Sequence, residues 1–524
     1  MRHDRDSAAL YELDDRIDLS NANAVAQGDQ KIVLSGAARA RCRAAEARLV
    51  QAISERRHIY GITTGFGPLA NRLVSPEDGV RLQQNLVHHL ATGLGPDLGW
   101  AEARAVVLAR LASLSKGASG ASEASINALV TLLNSDLAPA IPARGTVGAS
   151  GDLTPLAHMV LCFQGRGAFF DRAGKRFEGA VALDLLGLAP LDLSSRDGLA
   201  LVNGTSAMTG IALRNAQAAE RSVDWALALT ALMGECFDAR SEAWSAEFAD
   251  LRPHGGQIRA AATLRARLKG SARIVEARTA ARRLEEDDIR PEDEPGQDAY
   301  SLRVAPQLIG AVLDALDWHN SVLETELNAV TDNPIFPANG DVPALHGGNF
   351  MGQHVALISD TLANSTTVLA GLVERQVARL TDEKLNRGLP AFLHRGPCGL
   401  NSGFMGAQVT ATALLAEMRA TGAASVQSLS TNGANQDVVS MGTIAARLTA
   451  EKLARCIEIQ AILALALAQA AELRGGSELS GFSGAARRLV AWVRETAPEL
   501  EEDRPLAKEI TALSIRMSQQ SPTP

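Results

Sequence analysis

The sequence predicts a mainly α-helical fold, a long-helix bundle with a smaller N-terminal region, and three observations carry that prediction. After Asn203-Gly204-Thr205 the chain becomes a series of very long helical patterns; a 30-residue helix already spans about 45 Å, more than one globular domain needs to cross itself. Stretches such as Trp225–Met233 and Ile457–Ala471 are apolar on most faces, so they must be buried inside a bundle or between subunits. Helix caps and breakers recur along the chain, whereas strand signals are confined to one short segment.

Ser35 can cap a helix running to about Arg57, and Ser75-Pro76-Glu77 opens another through Leu90 to Gly93. Helices also fit Ala101–Lys116 and Ser122–Asn134; between them Gly117-Ala118-Ser119-Gly120 reads as a helix end followed by a capped start. Between residues 168 and 192 short apolar runs surround Asp171-Arg172-Ala173-Gly174, a small hairpin or loop excursion and the one convincing strand candidate. The long helices are expected at about Ser206–Arg240, Val304–Ala329, Asn349–Arg387, Phe404–Ser430 and Ser440–Leu473. The charged stretch Glu285–Glu294 reads as a connector or lid. This organisation divides the chain into an N-terminal region, 1–200, and a bundle, 201–524.

Composition narrows the function. With 51 Lys plus Arg against 59 Asp plus Glu, a net charge of −8, no basic field draws nucleic acid or an anionic membrane. A small-molecule substrate fits better. The five cysteines are isolated, with no CxxC pair, and suit a reducing cytoplasm. The charged start Met1-Arg2-His3-Asp4-Arg5-Asp6 is no secretory signal. Ala461–Ala468, bracketed by Gln460 and Gln469, falls short of the roughly 20 apolar residues that a membrane span needs. The ten histidines form no HExxH and no Cys-His cluster, so no metal is expected.

The chemistry concentrates in Arg144-Gly145-Thr146-Val147-Gly148-Ala149-Ser150-Gly151-Asp152-Leu153. If the Gly151 nitrogen attacks the Ala149 carbonyl a five-membered ring closes, and loss of water from Ser150 leaves an exocyclic methylidene conjugated to it. Glycine suits both the close backbone approach at 151 and the unusual dihedrals at 148. The tripeptide alone is weak, because Ala118-Ser119-Gly120 repeats it. The later copy differs in lying in a loop stiffened by Pro139, Pro142 and Pro155.

Five further motifs accompany it: Tyr60-Gly61-Ile62-Thr63-Thr64-Gly65-Phe66-Gly67; Asn203-Gly204-Thr205; Gln297-Asp298-Ala299-Tyr300-Ser301-Leu302-Arg303; Asn333-Pro334 with His346-Gly347-Gly348-Asn349-Phe350; and Asn432-Gly433-Ala434-Asn435-Gln436. The first lacks the Lys-Ser/Thr of a phosphate loop. In the third, a helix starting near Tyr300 would set Gln297, Tyr300 and Arg303 on one face, where an arginine can hold a carboxylate with paired hydrogen bonds. Singly, each Asn-Gly or Gly-Gly is an ordinary turn or cap.

Jointly, in order and along nearly the whole chain, these motifs resemble the aromatic amino acid ammonia-lyase family, whose fold is of the ammonia-lyase and fumarase-aspartase type. The resemblance implies that Ala149, Ser150 and Gly151 form the 4-methylidene-imidazole-5-one (MIO) cofactor. It further implies that Asn203 polarises the ring carbonyl, Tyr60 removes the substrate β-proton, and Tyr300 lies near the amine and the cofactor. Arg303 helped by Asn333 clamps the carboxylate, Gln297 joins the substrate contacts, and Phe350 and Gln436 line the pocket. A homotetramer with active sites shared between subunits is implied as well.

A β-proton on an amino acid is barely acidic, so elimination needs an electrophile and a positioned base. A tyrosine with the ordinary pKa of about 10 is neutral at pH 7, so the rate is expected to rise on the alkaline side of neutrality. Substrate choice should lie in Asn85-Leu86-Val87-His88-His89-Leu90. In the family the pair matching His89-Leu90 is typically Phe-Leu for phenylalanine and Ser-His for histidine, and His-Leu is the tyrosine-type arrangement. An imidazole can bond the substrate phenol; His88, on another face, is assigned a structural role. Leu153 is placed against the aromatic ring. Glutamate is usual at the position of Gln436 in histidine lyases. The reaction expected is elimination of ammonia from L-tyrosine to trans-4-coumarate, a phenylpropanoid acid. The alternatives are phenylalanine or mixed use, a tyrosine aminomutase, a histidine lyase, and a catalytically silent helical scaffold.

Overall fold

The computed structural model describes residues 9–276, 296–337 and 342–522. The segment Glu285–Glu294 lies outside the described residues. The chain forms two compact units: one built from residues up to Gln217 with His319–Asp360 and Ala423–Ala450, the other from Ala218–Trp318, Thr361–Gly422 and Glu451 onward. Each has its own hydrophobic core.

In the first unit β1 (Leu10–Leu13), α1 (Leu19–Ala26) and β2 (Lys31–Leu34) lead into α2 (Gly36–Ser54). The β1–β2 pair is parallel. Ser35 accepts a bond from Ala38 N and caps α2 as its sequence predicts. A short 3₁₀ turn at Pro76–Asp78 precedes α3 (Gly79–Leu90), then β3 (Leu94–Asp97), α4 (Trp100–Leu114) and α5 (Glu123–Leu133). Ser122 caps α5 through Ser125 N. Every residue of α4 from Ala103 to Leu114 is buried, two arginines included. Arg104 donates to main-chain oxygens of Val25 and Ala26 at the end of α1 and of Leu132 and Leu133 at the end of α5, where helix dipoles favour a cation.

Short β4 (Leu137–Pro139) and β5 (Pro142–Arg144) come next, then α6 (Leu153–Phe163), β6 (Ala168–Asp171), β7 (Arg176–Glu178), α7 (Gly179–Leu186) and α8 (Asp197–Val202). The predicted hairpin is β6–β7, and β4 completes its sheet. It is not the only strand pair: β3 pairs with β5, and β1 with β2. Runs of three or four residues carry too little periodicity to announce themselves. The three prolines expected to stiffen one loop sit in regular elements instead. Pro139 and Pro142 lie in β4 and β5, and Pro155 in the first turn of α6, where its missing N–H costs nothing. The Ala149-Ser150-Gly151 tripeptide is thus strung between the end of β5 and the start of α6.

α9 (Ser206–Cys236) carries the chain into the second unit, which holds α10 (Ala246–Asp250), α11 (Gly255–Arg267) and α12 (Tyr300–Arg303). The remaining helices are α13 (Ala305–Leu327), α14 (Gln353–Thr381), α15 (Met405–Ala420), α16 (Gly442–Gly475), α17 (Gly484–Arg494) and α18 (Ala507–Gln519). Three of the five expected long helices, α9, α13 and α16, appear within four residues of their predicted bounds, and a fourth, α14, is shorter by four residues at its start and six at its end. The fifth, α15, stops at Thr421 because the following backbone turns extended and Ser425 N bonds to Asp360.

One expectation is corrected. α14 and α16 are long and apolar enough to span a bilayer by length and mean hydropathy, 1.2 and 1.6; an uninterrupted run, such as Ala461–Ala468, understates a helix that averages over its interruptions. Their most apolar windows are 61% and 83% buried within the protein. Gln460 and Gln469 bond to Ser222 O and Leu500 O, which is the behaviour of core helices.

Candidate active site

A cavity of about 600 Å³ in the first unit is lined by Tyr60, His89, Leu90, Ala149, Ser150, Leu153, Asn203, Asn333, Phe350 and Gln436. Ten sequence-predicted residues from six separate stretches therefore meet in one place, at a size suited to a small organic ligand.

Its floor is a strained loop. Gly148, Ser150 and Gly151 all have positive φ, 75°, 59° and 76°, and Ser150 occupies a region that costs an L-residue about 1–2 kcal/mol. Gly151 faces Gly204 so closely that a Cβ at 151 would stand 2.2 Å from Gly204 O. Asp152 N completes the contact by donating to the same oxygen at 2.7 Å. A Cβ at Gly148 would meet Ser440 Oγ at 2.2 Å.

Two amides converge on Ser150. Asn203 Nδ2 donates to its carbonyl oxygen at 3.2 Å, and Gln436 Nε2 to its hydroxyl at 3.1 Å. Gln436 is oriented by two donors on its oxygen, Thr431 Oγ1 at 2.8 Å and Asn432 Nδ2 at 2.6 Å. Asn203 caps α8 and is 4% exposed, and its Oδ1 is buried without a partner, a polar atom left ready for a ligand or a rearranged loop.

Beneath the tripeptide, Asp152 is fully buried and accepts from Met208 N at 2.7 Å and from Thr443 Oγ1. Burial pushes its carboxyl up to about 6, against those hydrogen bonds.

At the cavity wall the Tyr60 hydroxyl accepts from Gly67 N at 2.9 Å. Tyr60 packs edge-on against Phe66, and its own N–H donates to His346 Nε2 at 3.2 Å. His89, in the last turn of α3, has Nδ1 3.0 Å from Asn85 O. A carbonyl can only accept, so Nδ1 bears the proton and Nε2 of the neutral ring is left as an acceptor. His88 instead contacts Arg166 and does not line the cavity. Asn333 is set by Gly347 N, which donates to its Oδ1 at 2.7 Å.

Tyr300, Arg303 and Gln297 are not brought to this cavity. They belong to the second unit, where they line a different cavity of about 760 Å³ with Arg240, Phe248 and Gln307. The expected grouping of the three holds: Arg303 bonds Gln297 Oε1 and lies 4.6 Å from the Tyr300 ring centroid. Tyr300 is 68% exposed.

Phe66, Leu86 and Asn435, which lie within the quoted motifs but carry no individual role there, also line the cavity, and sequence reasoning missed Leu199 and Met351. It also missed the buried Arg196–Asp332 pair, bidentate at 2.8 Å. Arg196 additionally donates to Ser119 O, and Asp332 accepts from Asn333 N, so the duplicate tripeptide serves to anchor the Asn333 loop. Among the described residues no group of His, Cys, Asp or Glu could hold a metal ion.

The chain matches the family model of aromatic amino acid lyases over residues 17–495. It is 68% identical over 511 residues, 98% of both chains, to the tyrosine ammonia-lyase of Cereibacter sphaeroides. It is 42% identical to the MIO-dependent tyrosine 2,3-aminomutase of Streptomyces globisporus, covering 88% of this chain and 86% of that one. The crystal structure of a tyrosine aminomutase from the same organism superposes with a TM-score of 0.92 at 37% identity, over 98% of this chain and 97% of the other. With this coverage and this site, the chain belongs to the aromatic amino acid lyase family.

Proposed function

We propose that the protein eliminates ammonia from L-tyrosine, without oxidation, to give trans-4-coumarate, using an MIO group made from Ala149-Ser150-Gly151. The observation that carries this reading is the convergence of the Asn203 and Gln436 amides on Ser150 while Gly151 is pressed against Gly204. The backbone that must cyclise is already bent, and the unpartnered Asn203 Oδ1 and the close backbone packing that only glycine allows at 151 fit such a group. Cyclisation joins Gly151 N to the Ala149 carbonyl carbon. The Ala149 oxygen leaves with the Gly151 and Ser150 amide protons as one water, and the Ser150 hydroxyl leaves with its α-hydrogen as a second.

Once formed, the group supplies an electrophilic methylidene carbon. The other residues bind, orient and move protons. Tyr60, with its oxygen bonded by Gly67 N–H, takes the β-proton. Asn203 holds the carbonyl of residue 150. His89 Nε2 accepts the substrate phenol, and a substrate without that hydroxyl leaves it unpaired. Leu90 and Leu153 pack on the substrate ring, Phe350 and Gln436 wall the cavity, and Asn333 meets the carboxylate. Tyr300, Arg303 and Gln297 reach the site from another copy of the chain in a homotetramer. The exposure of Tyr300 and Gln297, and the exposed apolar Leu357, Val368 and Val409 on α14 and α15, support assembly. Five free cysteines fit a cytoplasmic setting.

A second reading, a tyrosine aminomutase, is favoured by the likeness to the S. globisporus enzyme; it returns the ammonia to the β-carbon. Following ultraviolet product formation from tyrosine, phenylalanine and histidine in parallel separates the substrate classes. Ser150→Ala is expected to abolish turnover and His89→Phe to shift preference toward phenylalanine. Wild-type turnover in Ser150→Ala would end the cofactor reading.

A further inference from the structure

The Asn203-Gly204-Thr205 turn is the platform on which the tripeptide rests, and it is pinned from behind by a fully buried guanidinium. Arg110 Nη1 donates to the Asn203 main-chain oxygen, and Nη2 donates to Ser113 Oγ at 3.0 Å. Ser113 Oγ also accepts from Thr331 N at 3.2 Å, and Thr331 Oγ1 takes Thr205 N at 3.4 Å. The three segments therefore close a loop of hydrogen bonds around Gly204, where an added Cβ would lie 2.6 Å from both Arg110 Nη1 and Thr331 Oγ1.

Arg110 is 0% exposed. The carboxylate that attracts it, Asp332, is committed to Arg196, and burial pulls the Arg110 pKa down to about 10. Burying a charge so thinly compensated costs the fold, so its presence asks for a role beyond the fold.

We propose that Arg110 is a positioning residue for cofactor formation: it clamps the Asn203 peptide so that Asn203 Nδ2 meets Ser150 O and the Gly204 backbone seats Gly151 for ring closure. The inference rests on the reading of residues 149–151 given above. A guanidinium can serve two acceptors in a fixed fork; an ammonium at the same place reaches one.

The test uses the full-length protein, with intact mass as the readout, because cyclised chains are lighter by two waters whether or not they turn over. Arg110→Met is expected to fold with unchanged helix content and a modestly lower melting temperature, since the buried Asn203 oxygen loses its donor. Much of it should stay at the uncyclised mass, and kcat for tyrosine should fall by about tenfold or more while KM stays within about twofold. Arg110→Lys should recover part of both. If the folded Met variant cyclises completely and turns over like the wild type, the proposal is overturned. Should that variant not fold, Arg110→Lys and Ser113→Ala decide: slowed cyclisation in either supports the proposal, and wild-type cyclisation and kcat in both overturn it. A wild-type protein that never loses the two waters would refute the cofactor reading itself, an outcome separate from any of these.

Discussion

The close approach of Gly151 to Gly204 makes a sharp prediction for Gly151→Ala. The new Cβ would lie 2.2 Å from Gly204 O and 2.5 Å from Gly204 C, against about 3.5 Å for ordinary contact, so the two strands of backbone must part by about 1 Å. Parting them sacrifices the 2.7 Å bond from Asp152 N to Gly204 O and overpacks a buried seam. The alanine must also hold a φ of 76°. Left-handed strain, overpacking and the lost bond together come to about 3–6 kcal/mol. Gly187→Ala isolates the first contribution, because Gly187 has a φ of 67° with no heavy atom near its added Cβ; its cost should be about 1–2 kcal/mol. Denaturant unfolding of both variants measures the difference, and intact mass reports the ring. A Gly151→Ala protein that matches Gly187→Ala in stability and still loses two waters would refute the claim that this contact drives cyclisation.

Three further outcomes follow from the same geometry. His89→Phe removes the acceptor fixed by Asn85 O, and the ratio of kcat/KM for tyrosine over phenylalanine should fall by about 10- to 100-fold in parallel assays, the worth of one unpaired polar group. Tyr60→Phe should lower kcat by about 10²- to 10⁴-fold with melting temperature unchanged, since the Tyr60 hydroxyl bonds only Gly67 N among the described residues; a small loss of kcat would exclude it as the base. Asp152, raised to about 6 by burial, binds its proton more tightly when folded than when unfolded. The contribution of Asp152 to stability is therefore expected to decline by on the order of 2–3 kcal/mol as pH rises from about 4 to about 6, read as the difference between wild type and Asp152→Asn in unfolding curves taken across the range.

Local signals carried the fold furthest. Ser35 and Ser122 announce α2 and α5 because a cap needs only a side-chain oxygen and the amide three residues on, and the long helices show through sustained apolar patterning. The short strands do not, because β1 and β2 hold four residues each and depend on pairing across the chain. The continuation of α15 past Thr421 looked helical locally, yet Asp360, 65 residues away, takes Ser425 N.

In the site, residues whose chemistry is intrinsic were legible: a tyrosine, a histidine, an Asn-Gly before a helix. Their supports were not. Arg110 lies in a run of buried α4 residues that reads as helix core, 93 residues from the carbonyl it holds. Thr443 meets Asp152 across 291 residues. That Tyr300 and Arg303 line a cavity of the second unit was equally hidden, since a motif's order along the chain does not say where the fold carries it.

The most direct measurement incubates the purified protein with L-tyrosine and no added coenzyme, and quantifies products by chromatography with an ammonium assay. The account predicts trans-4-coumarate and ammonium in equal amounts from wild type and none from Ser150→Ala. β-Tyrosine without free ammonium, or coumarate released equally well by Ser150→Ala, would contradict it.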